Sequence, residues 1–133
     1  MNYLGLDINT AKNEAFYIGR YRFISLTKKS ASYTNLDSRG WQIIINYRNP
    51  LNFADTVSLT DILSDKQEAS FFKNRLVIIG TNLRSETLYP TPYSSSPEQE
   101  SKVSGIFIHA QITSQLISAV LDNRPLIWYF PEW

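Results

Sequence analysis

The sequence predicts an α/β fold: a mixed β-sheet with an antiparallel strand pair, a buried central strand and a prominent C-terminal helix. Three stretches carry that expectation. In WQIIINY, Trp41, Ile43, Ile45 and Tyr47 alternate with Gln42, Ile44 and Asn46, the two-residue period of a strand. In RLVIIG, an apolar run rich in β-branched residues ends at Gly80, as expected of a short strand covered on both faces. Near the end, Ile108, Ile112, Leu116, Ile117, Val120 and Leu121 recur at helical spacing and draw one apolar stripe.

Taken in order, residues 1–16 are weakly patterned and read as the stub of a helix running into a loop. Tyr17 to Leu26 (YIGRYRFISL) is dominated by β-formers and reads as a strand, irregular near Gly19. The polar stretch Lys28 to Arg39, closed by Gly40, is the long connection to Trp41–Tyr47, with which Tyr17–Leu26 would pair antiparallel. Arg48 to Asp55 is a loop containing Pro50. Ser58-Leu-Thr-Asp61 has the spacing of an N-cap signature, so a short helix follows. A second helical stretch, about Lys66 to Lys73, would turn Phe71 and Phe72 inward. Residues 81–102 form a long polar connection rich in Thr, Ser and Pro, a length usual for functional or disordered segments. The last helix is stopped by Asn123, which tolerates the left-handed conformation, and by Pro125. Its other face carries Gln111, Thr113, Ser114, Gln115 and Ser118. A solvated face gathers Lys and Glu; this uncharged one is expected to meet another surface.

Composition narrows the function classes. The chain has 133 residues, 43% hydrophobic and 19% charged, and reads as one globular domain. Thirteen basic residues against twelve acidic ones leave no electrostatic footprint for nucleic acid. Without cysteine there is neither a disulfide framework nor a thiolate metal site. His109 is the single histidine, and scattered carboxylates around it supply no metal-ligand spacing. Ser104 or Ser114 with Asp122 could be drawn into a triad with His109, but no nucleophile elbow surrounds them. The expected role of His109 is structural, orienting or capping the strand before it. Only Gly80 lies between Arg75 and Lys102, too few glycines for a phosphate-binding loop. No cofactor is expected, and the chain is read as non-enzymatic.

The blocks GWQIIINYR (Gly40 to Arg48), VSLTDIL (Val57 to Leu63), RLVIIGT (Arg75 to Thr81), TPYSS (Thr91 to Ser95) and IHAQITSQLISAVLDNRPLIWYFPEW (Ile108 to Trp133) resemble, in this order, the type-two CHASE domain. The wording is closest to cyanobacterial members. That family comprises extracytoplasmic sensory modules of bacterial cyclases, histidine kinases and Ser/Thr kinases. The resemblance implies a sensor, periplasmic or extracellular in the full membrane protein, that relays a signal through membrane helices to a cytoplasmic output domain. It also implies that this chain is the C-terminal portion of a larger sensory domain, with the N-terminal half and the helices outside it. A chain lacking its sheet neighbours is expected to expose a strand edge and associate. Asn123 stands where the family commonly has Gly.

Two groups of residues are candidate sites. Asn46, Tyr47 and Arg48 follow one strong strand; Thr81, Asn82, Arg84, Ser85, Thr87 and Tyr89 follow the other. Were the strand ends adjacent, Arg48 and Arg84 could grip an anion among hydroxyls and tyrosines; the alternative is a solvated loop with Arg48 in a structural salt bridge. The terminal RPLIWYFPEW holds Trp128, Tyr129, Phe130 and Trp133. These either pack on the domain or a second copy, or mark a membrane boundary, where Trp and Tyr concentrate; the resemblance favours the boundary for the last three residues, with Leu126 to Tyr129 running as an arm over the core. Expected partners are an unidentified small-molecule or protein signal and a second copy of the chain. A structural dimerisation module without a ligand is the alternative function.

Overall fold

The computed structural model describes residues 8–10, 15–49, 53–82, 88–94 and 102–129. Small antiparallel sheets and a long C-terminal helix make up its regular structure, an α/β arrangement. The chain divides into two compact units: Met1–Asn46 with Thr113–Trp133, and Tyr47–Ile112.

The first unit is built on a three-stranded antiparallel meander, β1 (Ile8–Thr10), β2 (Ala15–Ile18) and β3 (Tyr21–Ile24). The opening is therefore not a helix stub where it is described. Tyr17–Leu26 is not one strand either. Gly19, at φ +58°, begins a two-residue turn, and Ile18 pairs with Tyr21 across it. A positive φ at the first turn position costs glycine little and suits the twist of a tight hairpin. Phe16 stacks on Phe23 at 4.8 Å, and Trp41 meets Phe16 edge-on at 5.4 Å. Ala15, Phe23, Leu26 and Ala119 are the buried apolar residues among those described.

The antiparallel pair thus forms inside the Tyr17–Leu26 segment, not between it and Trp41–Tyr47. Trp41–Tyr47 is held differently. Leu26 N–H donates to the Gln42 carbonyl at 2.8 Å, and Gln42 N–H donates to Ser25 Oγ at 3.2 Å. Beyond Gln42, a helix side chain takes over the backbone, as described below.

In the second unit, Ser58 caps α1 (Leu59–Leu63) by accepting from Asp61 N–H, as the sequence predicts. Lys66–Lys73 forms only a 3-10 turn, Ala69–Phe72. Phe71 and Phe72 are half-buried there, and the Arg75 guanidinium lies 4.5 Å from the centre of the Phe71 ring. Arg75 also bonds Asp55 at 2.5 Å. β4 (Leu88–Tyr89) and β5 (Val103–Ser104) pair antiparallel. Between them, Thr91–Ser94 is a turn closed by Ser94 N–H on the Thr91 carbonyl at 2.9 Å.

The expected buried central strand needs correction. Leu76 to Gly80 belongs to no ladder, and its backbone makes no hydrogen bond among the described residues. Leu76, Val77 and Ile79 are 61%, 52% and 92% exposed. Burial on both faces requires flanking strands and covering layers, and the described part of this unit supplies only the two-residue pair β4–β5. Gly80 has one close neighbour: a Cβ there would come within 2.7 Å of Ile106 Cδ1.

The long helix, α2 (Gly105–Asp122), begins four residues before His109, where a strand end was expected, and stops where the sequence predicts. Asn123 follows at φ +55°, and Arg124 N–H donates to the Ser118 carbonyl at 3.0 Å, folding the chain back on the last turn. Asn123 Oδ1 also accepts from the Tyr21 hydroxyl and from Arg20 at 3.0 Å, tying the helix end to the β2–β3 turn. Among the described residues no helix is long and apolar enough to cross a membrane.

Candidate functional site

The most buried residues of α2 are Gln111, Gln115, Ser118 and Ala119, whereas the apolar stripe is half-buried and Leu121 is 54% exposed. Positions 111, 115, 118 and 119 fall on one helix face. The uncharged polar face is thus the one that meets protein, and the reason is its hydrogen bonding. Gln115 accepts from Asn46 N–H at 2.6 Å and donates to the Ile44 carbonyl at 3.0 Å. Gln111 does the same for Arg48, accepting from its N–H and donating to its carbonyl, both at 3.0 Å. Each amide takes the place of a strand neighbour. Trp41–Tyr47 therefore lies outside any ladder, yet Ile44 C=O and Asn46 N–H each have a partner.

This arrangement sets where the predicted anion-site residues stand. Asn46 is a structural joint: its carbonyl accepts from Arg124 at 2.8 Å, and its side chain donates to the Pro125 carbonyl at 3.2 Å. Tyr47 and Arg48 line a cavity of only about 10 Å³ with Phe53, Thr91, Tyr93 and Gln111. That is room for one water at most. Burial raises the Tyr47 phenol above its ordinary pKa. Arg48 Nε is buried without a hydrogen-bond partner among the described residues. Thr81 and Asn82 are exposed, and Asn82 lines a different, open cleft of about 860 Å³ beside Leu76–Gly80. Tyr89 is 46% exposed on β4. Arg84, Ser85 and Thr87 lie outside the described residues. The structure brings together Tyr47 and Arg48, and places Asn82 elsewhere in the same unit.

A further concavity, in the first unit, was not foreseen. It encloses about 500 Å³ between β3, the turn Ser25–Ser30, Ile43–Ile44 and the arm Leu126–Tyr129. That volume falls within the range of small-molecule sites. Phe23, Ile43, Ile44 and Leu126 give it an apolar lining; among the described residues Arg22 and Lys29 are its charged residues, and no carboxylate contributes. Its rim is held by the turn itself, where Thr27 N–H donates to Ser30 Oγ at 2.8 Å. Sequence reasoning missed it because its walls come from segments about a hundred residues apart. The clue available was the density of apolar residues in LIWY, which forms one wall.

His109 is exposed and makes no hydrogen bond among the described residues, so it caps nothing there. No group of three or more His, Cys, Asp or Glu among the described residues could hold a metal ion.

Compared with known families, residues 2–133 match the model of the CHASE2 domain. The chain belongs to the CHASE2 domain family. No curated protein and no solved structure matches it. The match reaches from residue 2, well before the Trp41 where the sequence blocks become distinctive. CHASE2 domains are extracellular sensory modules, a family of sensors rather than catalysts. In this CHASE2 domain the described aromatics of the terminal segment are Trp128, 72% exposed, and Tyr129, half-buried. Phe130 and Trp133 lie outside the described residues.

Proposed function

We propose that this CHASE2 domain is a non-enzymatic extracytoplasmic module that recognises a ligand for a bacterial signal-transduction protein and relays the event through membrane helices to a cytoplasmic output domain. One observation carries the reading: the arm Leu126–Tyr129 is a wall of the 500 Å³ cleft, and in sequence it leads directly to the Pro-Glu-Trp segment that, by family resemblance, adjoins the membrane. A ligand favouring one position of the arm would bias the helix beyond it, since a ligand shifts an equilibrium by its differential affinity for the two states. Trp128 and Tyr129 are the membrane-proximal pair in this scheme, their rings suited to an interface with one wet and one apolar side. The anion site first drawn from the sequence has no part in this scheme: the cavity beside Tyr47 and Arg48, about 10 Å³, admits at most one water.

The test is a thermal-shift screen of the 133-residue chain against small metabolites, read in parallel by tryptophan fluorescence. A ligand that raises Tm and changes emission in the native chain but not in Trp128→Phe supports the cleft. A second reading, a dimerising module without a ligand, draws on the exposed and unladdered Leu76–Ile79. A stable dimer by sedimentation, with no ligand-induced shift anywhere in the screen, would replace the first reading by the second.

A further inference from the structure

Resting on that sensory reading, we infer that the cleft of the first unit selects an anionic amphiphile: a small carboxylate carried on an apolar chain. The argument is one of charge and lining. Among the described residues Arg22 and Lys29 both contribute to the cleft, and no Asp or Glu does. Neither cation's side chain has an ion pair or hydrogen bond among the described residues. By contrast Arg39, Lys66 and Arg75 are each paired with a carboxylate. Among the described residues, no carboxylate of the protein neutralises the two cations of the cleft.

Most of the other polar side chains are already committed, the Tyr129 phenol excepted. Ser25 Oγ accepts from Gln42 N–H, Ser30 Oγ accepts from Thr27 N–H, and the Gln115 amide serves Ile44 and Asn46. A ligand rich in hydroxyls or amides would find few partners, and unmet polar groups in a cleft weaken binding. A cationic ligand would meet two like charges. What matches is an apolar body against Phe23, Ile43, Ile44 and Leu126 with a single anionic head at Arg22 and Lys29. Arginine grips a carboxylate with two parallel N–H bonds and lysine adds a point charge. The occupant proposed is the free amphiphile, with the carboxylate in the cleft, not a bilayer surface.

The experiment titrates the 133-residue chain by calorimetry with decanoate, with decanol as its neutral counterpart, and with decyltrimethylammonium as its cationic one. Vesicles of anionic phospholipid form a fourth arm. Decanoate is expected to bind at least about tenfold more tightly than decanol, the scale of one charge-assisted contact. Arg22→Gln and Lys29→Gln should each remove most of that preference, while Arg22→Lys with Lys29→Arg should keep it. Arg22 and Lys29 are exposed, so the substitutions should leave Tm unchanged. Equal affinity for decanoate and decanol, or full decanoate affinity in the doubly neutralised variant, overturns the assignment. So does binding to vesicles without binding to free decanoate. If decanol or the cationic probe binds with a Trp128-dependent fluorescence change, the ligand class fails and the sensory cleft stands. If no probe and no metabolite binds, both fail together.

Discussion

Tyr47 is a residue whose environment has a measurable consequence. Its phenol is half-buried beside Arg48 and Gln111, and desolvation raises its pKa above the ordinary 10.0, because burial penalises the charged phenolate. A group with a raised folded-state pKa binds its proton more tightly in the native state. Its contribution to stability is therefore complete below pH 10 and lost as pH rises through the shifted value. Thermal melts between pH 8 and 12 are expected to show an alkaline fall in Tm that is smaller in Tyr47→Phe. Identical profiles for the two proteins would show that the phenol is as solvated in the native state as in the unfolded one. Elsewhere the Asp37 carboxyl is held below its ordinary pKa by its hydrogen bonds with Arg39, but both side chains are exposed and water and salt screen such pairs.

At the scale of elements, the α2 glutamines decide how an extended segment is kept without strand neighbours. Gln115 is 2% exposed and satisfies two backbone groups, Asn46 N–H and Ile44 C=O. Gln115→Ala would strip both partners and is expected to cost about 2–4 kcal/mol in urea denaturation, the penalty for orphaned buried groups. Thr113→Ala, in the next half-turn and only half-buried, should stay within about 0.5 kcal/mol. Equal losses would mean that the helix is held by its apolar stripe rather than by these amides. The sequence showed that the face was polar without charge and so not solvated. It could not show which backbone the amides would meet, because residues 44–48 and 111–115 lie far apart in the chain. The same limit explains Trp41–Tyr47: alternation predicted a strand, which the structure does not form there, because ladder partners are not encoded in a segment's own period. Ser58 and Asn123 were legible because a cap needs only neighbours in sequence.

For the molecule as a whole, Leu76–Ile79 is the principal liability. A run with Leu76, Val77 and Ile79 exposed and its backbone without hydrogen bonds among the described residues is a template for another strand. The chain is therefore expected to self-associate as concentration rises in sedimentation, and Ile79→Lys should reduce that association. Ile79 is 92% exposed, so the change should alter folding stability by less than about 0.5 kcal/mol. An unchanged concentration dependence in Ile79→Lys would remove this segment as the contact. Such a contact would also compete with ligand sensing as an account of what the domain does, which is why the thermal-shift and sedimentation experiments belong together.

By itself the sequence determined the α/β class, both stop signals of α2, the Ser58 cap and the family. These depend on local periodicity, local capping chemistry and ordered blocks of residues, all readable along the chain. Only the tertiary structure decided that Gly19 turns one expected strand into a hairpin, that the glutamine face of α2 is the buried one, and that RLVIIG stands exposed. It alone assembled Arg22, Lys29 and the Leu126–Tyr129 arm around one cleft. Each of these outcomes depends on which distant segment supplies a backbone partner or a wall, and burial and hydrogen bonding are settled by that choice rather than by any residue's own preference.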